Sequence, residues 1–187
     1  MRLRRQAALA TGLAVAALVA PTAQSRTART PQQLLQALLT EKVAPSALPH
    51  GYRSPQVTPY AVTATAKSHH AVGGAEILAD GGNEAIIYIV FRTRADAKGD
   101  FSHANLAGRS TSAAPKALPK PSIVVNTSAT GTVKGKLVTI GITDVAFVQG
   151  NVIVQAATTS TSSTKHGDVA GAVALARFAS KHLRSVA

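Results

Sequence analysis

"ADGGNEAIIYIVFR", residues 79–92, is the stretch that decides the fold. Its glycine-rich turn signature ends at Asn83 and is followed by apolar side chains in alternation, which predicts a strand end, a tight turn and a second strand. The second strand, residues 84–92, is apolar on both faces, so we expect a central strand that is covered on both sides. Thr93 supplies a capping hydroxyl, and a helix is predicted over residues 94–105.

"FVQGNVIVQAATT", residues 147–159, repeats this arrangement with Gly150-Asn151 at the turn. A polar connector follows, and Asp168 is expected to cap a helix that extends to residue 184. On a helical wheel this helix has an apolar face and, opposite to it, a basic face. The apolar face carries Ala172, Leu175, Ala176, Ala179 and Leu183, and the basic face carries Arg177, Lys181 and Arg184.

The repeated hairpin-helix unit predicts the fold class. Neither a hairpin nor a single helix can bury an apolar face alone, whereas two such units can join their strands and cover them with their helices. We therefore expect an α+β fold of two layers, with an antiparallel sheet of five or more strands packed by two helices. Further strands are predicted at 122–127, 136–143 and 144–149, and residues 107–121 are predicted to be a surface loop. Whether the two units arose by duplication stays open, because their side chains match poorly outside the turns.

The beginning of the chain has the three parts of an export signal. A basic head is followed by an apolar run at 7–20 and by small residues before position 25. Residues 1–25 are therefore predicted to be a cleaved signal, which places the product outside the cell or on the exterior of a bacterial envelope. An uncleaved N-terminal anchor is the alternative.

Residues 26–62 are predicted to form a leader ahead of the main domain. Thr30-Pro31 is a helix start, and leucines at helical spacing predict a short amphipathic helix over 31–43 that docks on the core. The proline-rich segment 44–62 is expected to be a linker or an extended cover. The rest of the chain, residues 63–187, is predicted to be a single α+β domain.

Composition limits the chemistry. The chain has no cysteine, so it has neither disulfides nor a thiol nucleophile. Its formal net charge is +12, which falls to +9 from Arg26 onward, and this bias predicts attraction to anionic surfaces. The residues that we predict as an anion-binding set are Arg177, Lys181, Arg184, Lys134 and Lys136.

Catalytic and metal-binding patterns are weak in this sequence. No two histidines have the spacing that places both imidazoles on one helix face, and His69 and His70 are expected to point in opposite directions from an extended segment. We predict no metal, no cofactor and no enzymatic activity. The alternative is a hydrolase that uses Asp96 and Asp100, which lie one helical turn apart. Sequence-specific recognition of nucleic acid is not expected, because neither a recognition helix nor stacking aromatics occur.

The C-terminal stretch, "FVQGNVIVQAATT" followed by "DVAGAVALARFASKHL", resembles the ending of small exported bacterial α+β domains. PsbP-like domains and the extracellular sensor domains of bacterial membrane kinases end in this way, and the resemblance covers residues 147–183. It implies a two-layer fold and a non-catalytic binding role.

The function predicted from the sequence is that of an exported binding module. Its partner is expected to be a small apolar ligand or an envelope protein, bound at a concave apolar surface between sheet and helix. The first alternative is an electrostatic binder of an anionic polymer, which would be a wall polymer, nucleic acid or acidic lipid. The second alternative is the hydrolase described above.

Overall fold

The computed structural model describes residues 28–49, 55–79, 83–103, 110–133, 135–160 and 167–187. Within them lie seven strands: β1 (Gln56–Tyr60), β2 (Ala71–Ala79), β3 (Glu84–Phe91), β4 (Ser110–Ala113), β5 (Ser122–Val133), β6 (Lys136–Gln149) and β7 (Val152–Ser160). The same residues contain the helices α1 (Pro31–Thr40), α2 (Ala64–Ser68), α3 (Arg94–Ser102) and α4 (Val169–Val186), with a short 3₁₀ turn at Pro45–Ala47. The predicted export signal, the hairpin residues 80–82, the helix end at 104–105 and Lys134 lie outside the described residues.

One antiparallel sheet contains the described strands in the order β1-β2-β3-β7-β6-β5-β4. The predicted α+β class with five or more antiparallel strands is confirmed. Both hairpin-helix units are present, the first as β2-β3-α3 and the second as β6-β7-α4. Their second strands pair with each other, with Ile89 opposite Ile153, so the units meet at the centre of the sheet.

Side chains of β3 alternate between two apolar clusters, as a strand covered on both sides requires. Ile86, Tyr88 and Val90 point to one face, where α1 and α4 pack, which we call the α1/α4 face. Ile89 and Phe91 point to the other face, where α2 and α3 pack, which we call the α2/α3 face. The expectation of a central strand buried on both sides is therefore correct.

The two hairpin-helix units are not a structural repeat. If the two units were a structural repeat, a twofold axis would relate β3 to its antiparallel neighbour β7. Such an axis is perpendicular to the sheet and would keep both helices on the same face. Instead, Ala97 of α3 belongs to the cluster on the α2/α3 face, whereas Ala172 of α4 belongs to the opposite cluster. The similarity of the two sequences therefore reflects the shared demands of a tight turn and a following helix.

The faces of α4 are those that the sequence predicts. Its buried residues include all five of the predicted apolar face, and Arg177, Lys181 and Arg184 are exposed. Asp168 occupies the cap position, but its side chain makes no capping hydrogen bond. Its backbone carbonyl instead accepts from Ala172 at 2.9 Å, so the predicted capping role of the carboxylate is wrong.

α1 packs beside α4 on the α1/α4 face, as its leucines predict. Thr30 and Gln33 form a reciprocal capping box at its start. Leu34 and Leu38 are buried in the core, and the helix ends at Thr40. None of the helices in the described ranges combines the length and the apolarity needed to cross a membrane.

Three strand predictions need correction. Part of the predicted loop 107–121 is β4, which pairs with β5. Part of the segment predicted as a linker or an extended cover is β1, an edge strand that accommodates Pro59 because one side of an edge strand needs no ladder bonds. The strands predicted at 136–143 and 144–149 are one strand, β6, because Thr143 stays in the ladder and its buried hydroxyl donates to Asn126 Oδ1 at 2.8 Å.

Candidate functional site

A cavity of about 420 Å³ lies on the α2/α3 face, between the sheet and α3. Its floor comes from β3, β5, β6 and β7, and its walls come from the β1–α2 segment and the end of α3. The floor residues are Ile89, Ile123, Val125, Asp144, Ala146, Ile153 and Gln155. The wall residues are Tyr60, Thr63, Thr65, Asp100, Phe101 and His103. Ile89, Val125 and Ile153 are buried at the floor of the cavity, whereas Thr63 and His103 are exposed to solvent at its rim.

The start of α3 is fixed by a capping box. The Thr93 hydroxyl accepts from the Asp96 backbone N–H at 3.1 Å, and Asp96 Oδ2 accepts from the Thr93 backbone N–H at 3.0 Å. The hydrogen bond from the Thr93 side chain, with a further one from His70, holds the pKa of Asp96 below its ordinary value. This carboxylate therefore stays ionised and structural, which suits a helix N-terminus.

Two imidazoles tie α3 to the turn that follows α2, and we call this group the histidine clamp. His69 Nδ1 lies 3.0 Å from Asp100 Oδ1, and His70 Nδ1 lies 3.1 Å from Asp96 Oδ1. The ring of His103 stacks on that of His69 with centroids 5.2 Å apart. The clamp holds the last turn of α3, and with it Asp100, at the wall of the cavity.

The sequence expectation for His69 and His70 was wrong because these residues do not lie in an extended segment. His69 is the C-cap of α2, and His70 has a φ of +62°, so the chain turns sharply between them. This turn directs both imidazoles towards α3. No local pattern encodes that contact, because Asp96 and Asp100 approach from a different element.

The clamp also defines what Asp96 and Asp100 can do. Asp96 Oδ2 serves the capping box and its Oδ1 faces His70, while Asp100 gives one oxygen to His69. Only Asp100 of the two lines the cavity. Among the described residues, no group of three or more histidine, cysteine or acidic side chains is arranged to hold a metal ion.

A second polar group is buried on the α1/α4 face. The Tyr88 hydroxyl lies 3.0 Å from His182 Nδ1, and His182 Nε2 lies 3.8 Å from Glu41 Oε2, just after α1. Burial raises the pKa of Tyr88, so its hydroxyl remains a donor. With Nδ1 as the acceptor, the proton of the neutral ring is on Nε2 and faces the Glu41 carboxylate.

The stability of the fold should depend on pH through His182. Burial lowers the pKa of His182, and the nearby Glu41 only partly opposes this effect. The folded chain therefore binds this proton more weakly than the unfolded chain does. The contribution of His182 to stability is complete above about pH 6.5 and is lost as the pH falls towards the lowered pKa. We expect the melting temperature of the parent to fall more steeply than that of His182→Gln between about pH 7.5 and pH 5.

A control for this experiment is Gln32→Ala, because Gln32 is exposed and carries no titratable group, so its slope should match that of the parent. Thermal denaturation followed by circular dichroism provides the measurement. Equal slopes for the parent and His182→Gln would contradict the assignment.

The predicted anion-binding residues are separated in space. Arg177, Lys181 and Arg184 are exposed on α4, whose residue Ser180 bonds Gln149 at the end of β6. Lys136 stands at the opposite end of β6, 13 residues away in the same strand, which is roughly 40 Å at the usual rise. The structure therefore brings the three α4 cations together and leaves Lys136 apart from them, while Lys134 is outside the described residues.

The sequence predicted a concave surface between sheet and helix, and of its residues only Asp100 was named, for the hydrolase alternative. Asp144, Gln155 and Tyr60 line the cavity, and none of them was singled out. A signal for Asp144 was present, since an acidic residue interrupts an otherwise alternating apolar strand. The contribution of Tyr60 had no signal, because it depends on the pairing of β1 with β2.

No family model matches the chain, and no curated protein matches it. Among solved structures, the extracellular domain of PknH from Mycobacterium tuberculosis is similar, with 12% sequence identity over 71% of this chain and 78% of that chain, at a TM-score of 0.39. That protein is an extracellular domain.

Proposed function

We propose that the chain is an exported, non-catalytic module that binds a small ligand in the cavity on the α2/α3 face. The observation that carries the proposal is the cavity itself, whose floor includes the buried Ile89, Val125 and Ile153 and whose rim includes the exposed Thr63 and His103. Small-molecule sites combine an apolar interior with a few polar groups that fix orientation. The export signal predicted from residues 1–25 supports a location outside the cell.

The surroundings of the cavity favour binding over catalysis. Asp96 is held by Thr93 and His70, and Asp100 gives one oxygen to His69, so each carboxylate has a structural partner. The histidine clamp holds the wall in place before a ligand arrives. A wall that is already ordered reduces the entropy lost on binding. The hydrolase that uses Asp96 and Asp100 remains the alternative hypothesis.

Straight-chain alcohols test the cavity directly. We expect 1-octanol to bind more tightly than 1-hexanol by about fourfold for each added methylene, because each one removes apolar surface from water. Ala146→Phe should abolish this binding, since Ala146 lies on the cavity floor and a phenyl ring there occupies the ligand's space. Ala129→Phe makes the same change at an exposed position of β5 and should leave binding intact.

Titration calorimetry on the full chain measures both effects. Failure of both alcohols to bind the parent, or equal binding by the parent and Ala146→Phe, would overturn the proposal. Circular dichroism on each variant separates a filled cavity from an unfolded protein.

The second candidate function is binding of an anionic polymer by α4. It is favoured by one observation: Arg177, Lys181 and Arg184 are exposed in a row and none forms an ion pair with a described residue. No acidic residue follows Asp168 in the sequence. A polyphosphate chain is a suitable probe, because binding that displaces counterions weakens steeply with salt.

The matched test compares two triple substitutions to glutamine. One removes Arg177, Lys181 and Arg184, and the other removes the exposed cations Lys67, Arg94 and Lys98 on α2 and α3. Loss of polyphosphate binding in the first variant alone supports the α4 surface. Equal losses would mean that only net charge matters.

A further inference from the structure

The formally charged side chains in the described lining of the cavity are acidic, although the chain as a whole is basic. The sequence has 20 basic and 8 acidic residues, yet the described lining contains two carboxylates, Asp100 and Asp144, and neither lysine nor arginine. We propose that the cavity selects an organic cation, with a protonated amine at one end and an apolar body at the other. This inference rests on the proposed function and specifies its ligand.

The carboxylates reach the cavity from two different elements. Asp144 lies on β6, where it is opposite Val125 of β5, and Asp100 lies in the last turn of α3 above the sheet. A ligand between sheet and helix therefore meets an acidic group on both sides. An ammonium group can donate three hydrogen bonds, and Asp100 lies on the helix side of the cavity to accept one of them.

One carboxylate oxygen of Asp100 is available to accept a hydrogen bond from a ligand. Its side chain is only 15% exposed, and Oδ1 is paired with His69. Oδ2 has no hydrogen-bond donor among the described residues. A mostly buried carboxylate with a free acceptor oxygen gains from a cationic donor, because the surrounding protein screens the attraction less than water does.

The remaining lining fits the other end of such a ligand. Ile89, Val125 and Ile153 are buried at the floor, and Phe101 closes the side beneath α3. These side chains offer no oxygen or nitrogen atoms to an inorganic cation. They do match an alkyl or aryl body, so an organic amine satisfies both parts of the cavity at once.

The overall charge of the protein would by itself favour an anionic ligand. A chain with a net charge of +12 attracts anions at long range and repels cations. If the field of the whole protein decided the ligand, an anionic amphiphile would bind best. Preference for a cation can arise only from groups close to the ligand, and Asp100 and Asp144 are such groups in the described lining.

Three probes with the same tail and different head groups test the charge preference. They are octylamine, 1-octanol and octanoate, each titrated into the full chain at neutral pH in a calorimeter. We expect octylamine to bind at least about tenfold more tightly than octanoate, with 1-octanol between them. Equal affinities, or tighter binding of octanoate, would overturn the inference.

Three substitutions test which carboxylates cause the preference for a cationic head group. Asp100→Asn and Asp144→Asn should each reduce the ratio of octylamine to octanoate affinity by several-fold. Asp168→Asn removes the same charge at the start of α4, outside the cavity, and should leave the ratio as in the parent. An equal change in all three variants would show that only net charge is sensed, against the inference.

The outcomes separate the two proposals. Binding of 1-octanol that Ala146→Phe abolishes, together with no head-group preference, keeps the ligand-binding function and removes the cationic ligand. Failure of all three probes to bind the parent removes both. Because the head-group series uses the parent protein, it remains decisive even if Asp100→Asn loosens the histidine clamp and fails to fold.

Discussion

Replacing Ala176 with aspartate is expected to abolish the folded state. Ala176 is fully buried at the centre of the apolar face of α4, among residues of the main core cluster. A carboxylate at this position would be ionised and buried without a partner, or protonated and still without hydrogen bonds. Either form should cost more than about 4 kcal/mol, which is a large fraction of the roughly 5–15 kcal/mol that stabilises a typical domain.

The control is Ala170→Asp, which makes the same substitution in the first turn of the same helix. Ala170 is exposed, and a negative charge near a helix N-terminus is favourable. Its melting temperature should therefore stay close to that of the parent in thermal denaturation followed by circular dichroism. If Ala176→Asp melted at the parent temperature, the core face assigned to α4 would be wrong.

Replacing Gly167 with alanine is expected to produce the second large effect. A methyl group at this position would lie 2.4 Å from the Thr158 carbonyl oxygen and 2.8 Å from the Thr143 backbone nitrogen. Both atoms belong to strands near the centre of the sheet and cannot rotate away. The segment that leads into α4 would have to move, at a cost of about 3 kcal/mol.

Gly99→Ala is the matched control within α3. A methyl group there would meet no atom within 4 Å. Alanine also favours the helix over glycine, so this variant should be more stable by about 0.5–1 kcal/mol. Urea denaturation of both variants measures the difference, and a Gly167→Ala protein as stable as Gly99→Ala would contradict the close approach of this segment to the sheet.

Local patterns predicted the central part of the fold because turns and periodicity are local properties. The Gly150-Asn151 turn and the capping hydroxyl of Thr93 marked element boundaries that the structure confirms. The 3.6-residue spacing on α4 separated its buried and exposed faces correctly. In each case, neighbouring residues contain the physical cause.

The edge strands of the sheet were harder to predict from local sequence patterns. β4 consists of Ser110–Ala113, a short and mostly polar sequence that has no apolar alternation, and its only reason to be extended is its pairing with β5. The break predicted between 143 and 144 does not exist, since the ladder of β6 continues through both residues.

The sequence by itself determined that this chain builds antiparallel hairpins followed by helices, with a basic outer surface on α4. Tertiary structure alone decided that α3 and α4 lie on opposite faces of the sheet, and the packing of α3 over its face leaves the cavity between helix and sheet. It also brought His69 to Asp100 and His182 to Tyr88, pairs that are 31 and 94 residues apart in the chain. Spacing in a sequence records which residues share a face of one element, whereas a site assembled from several elements depends on how those elements cross and pack.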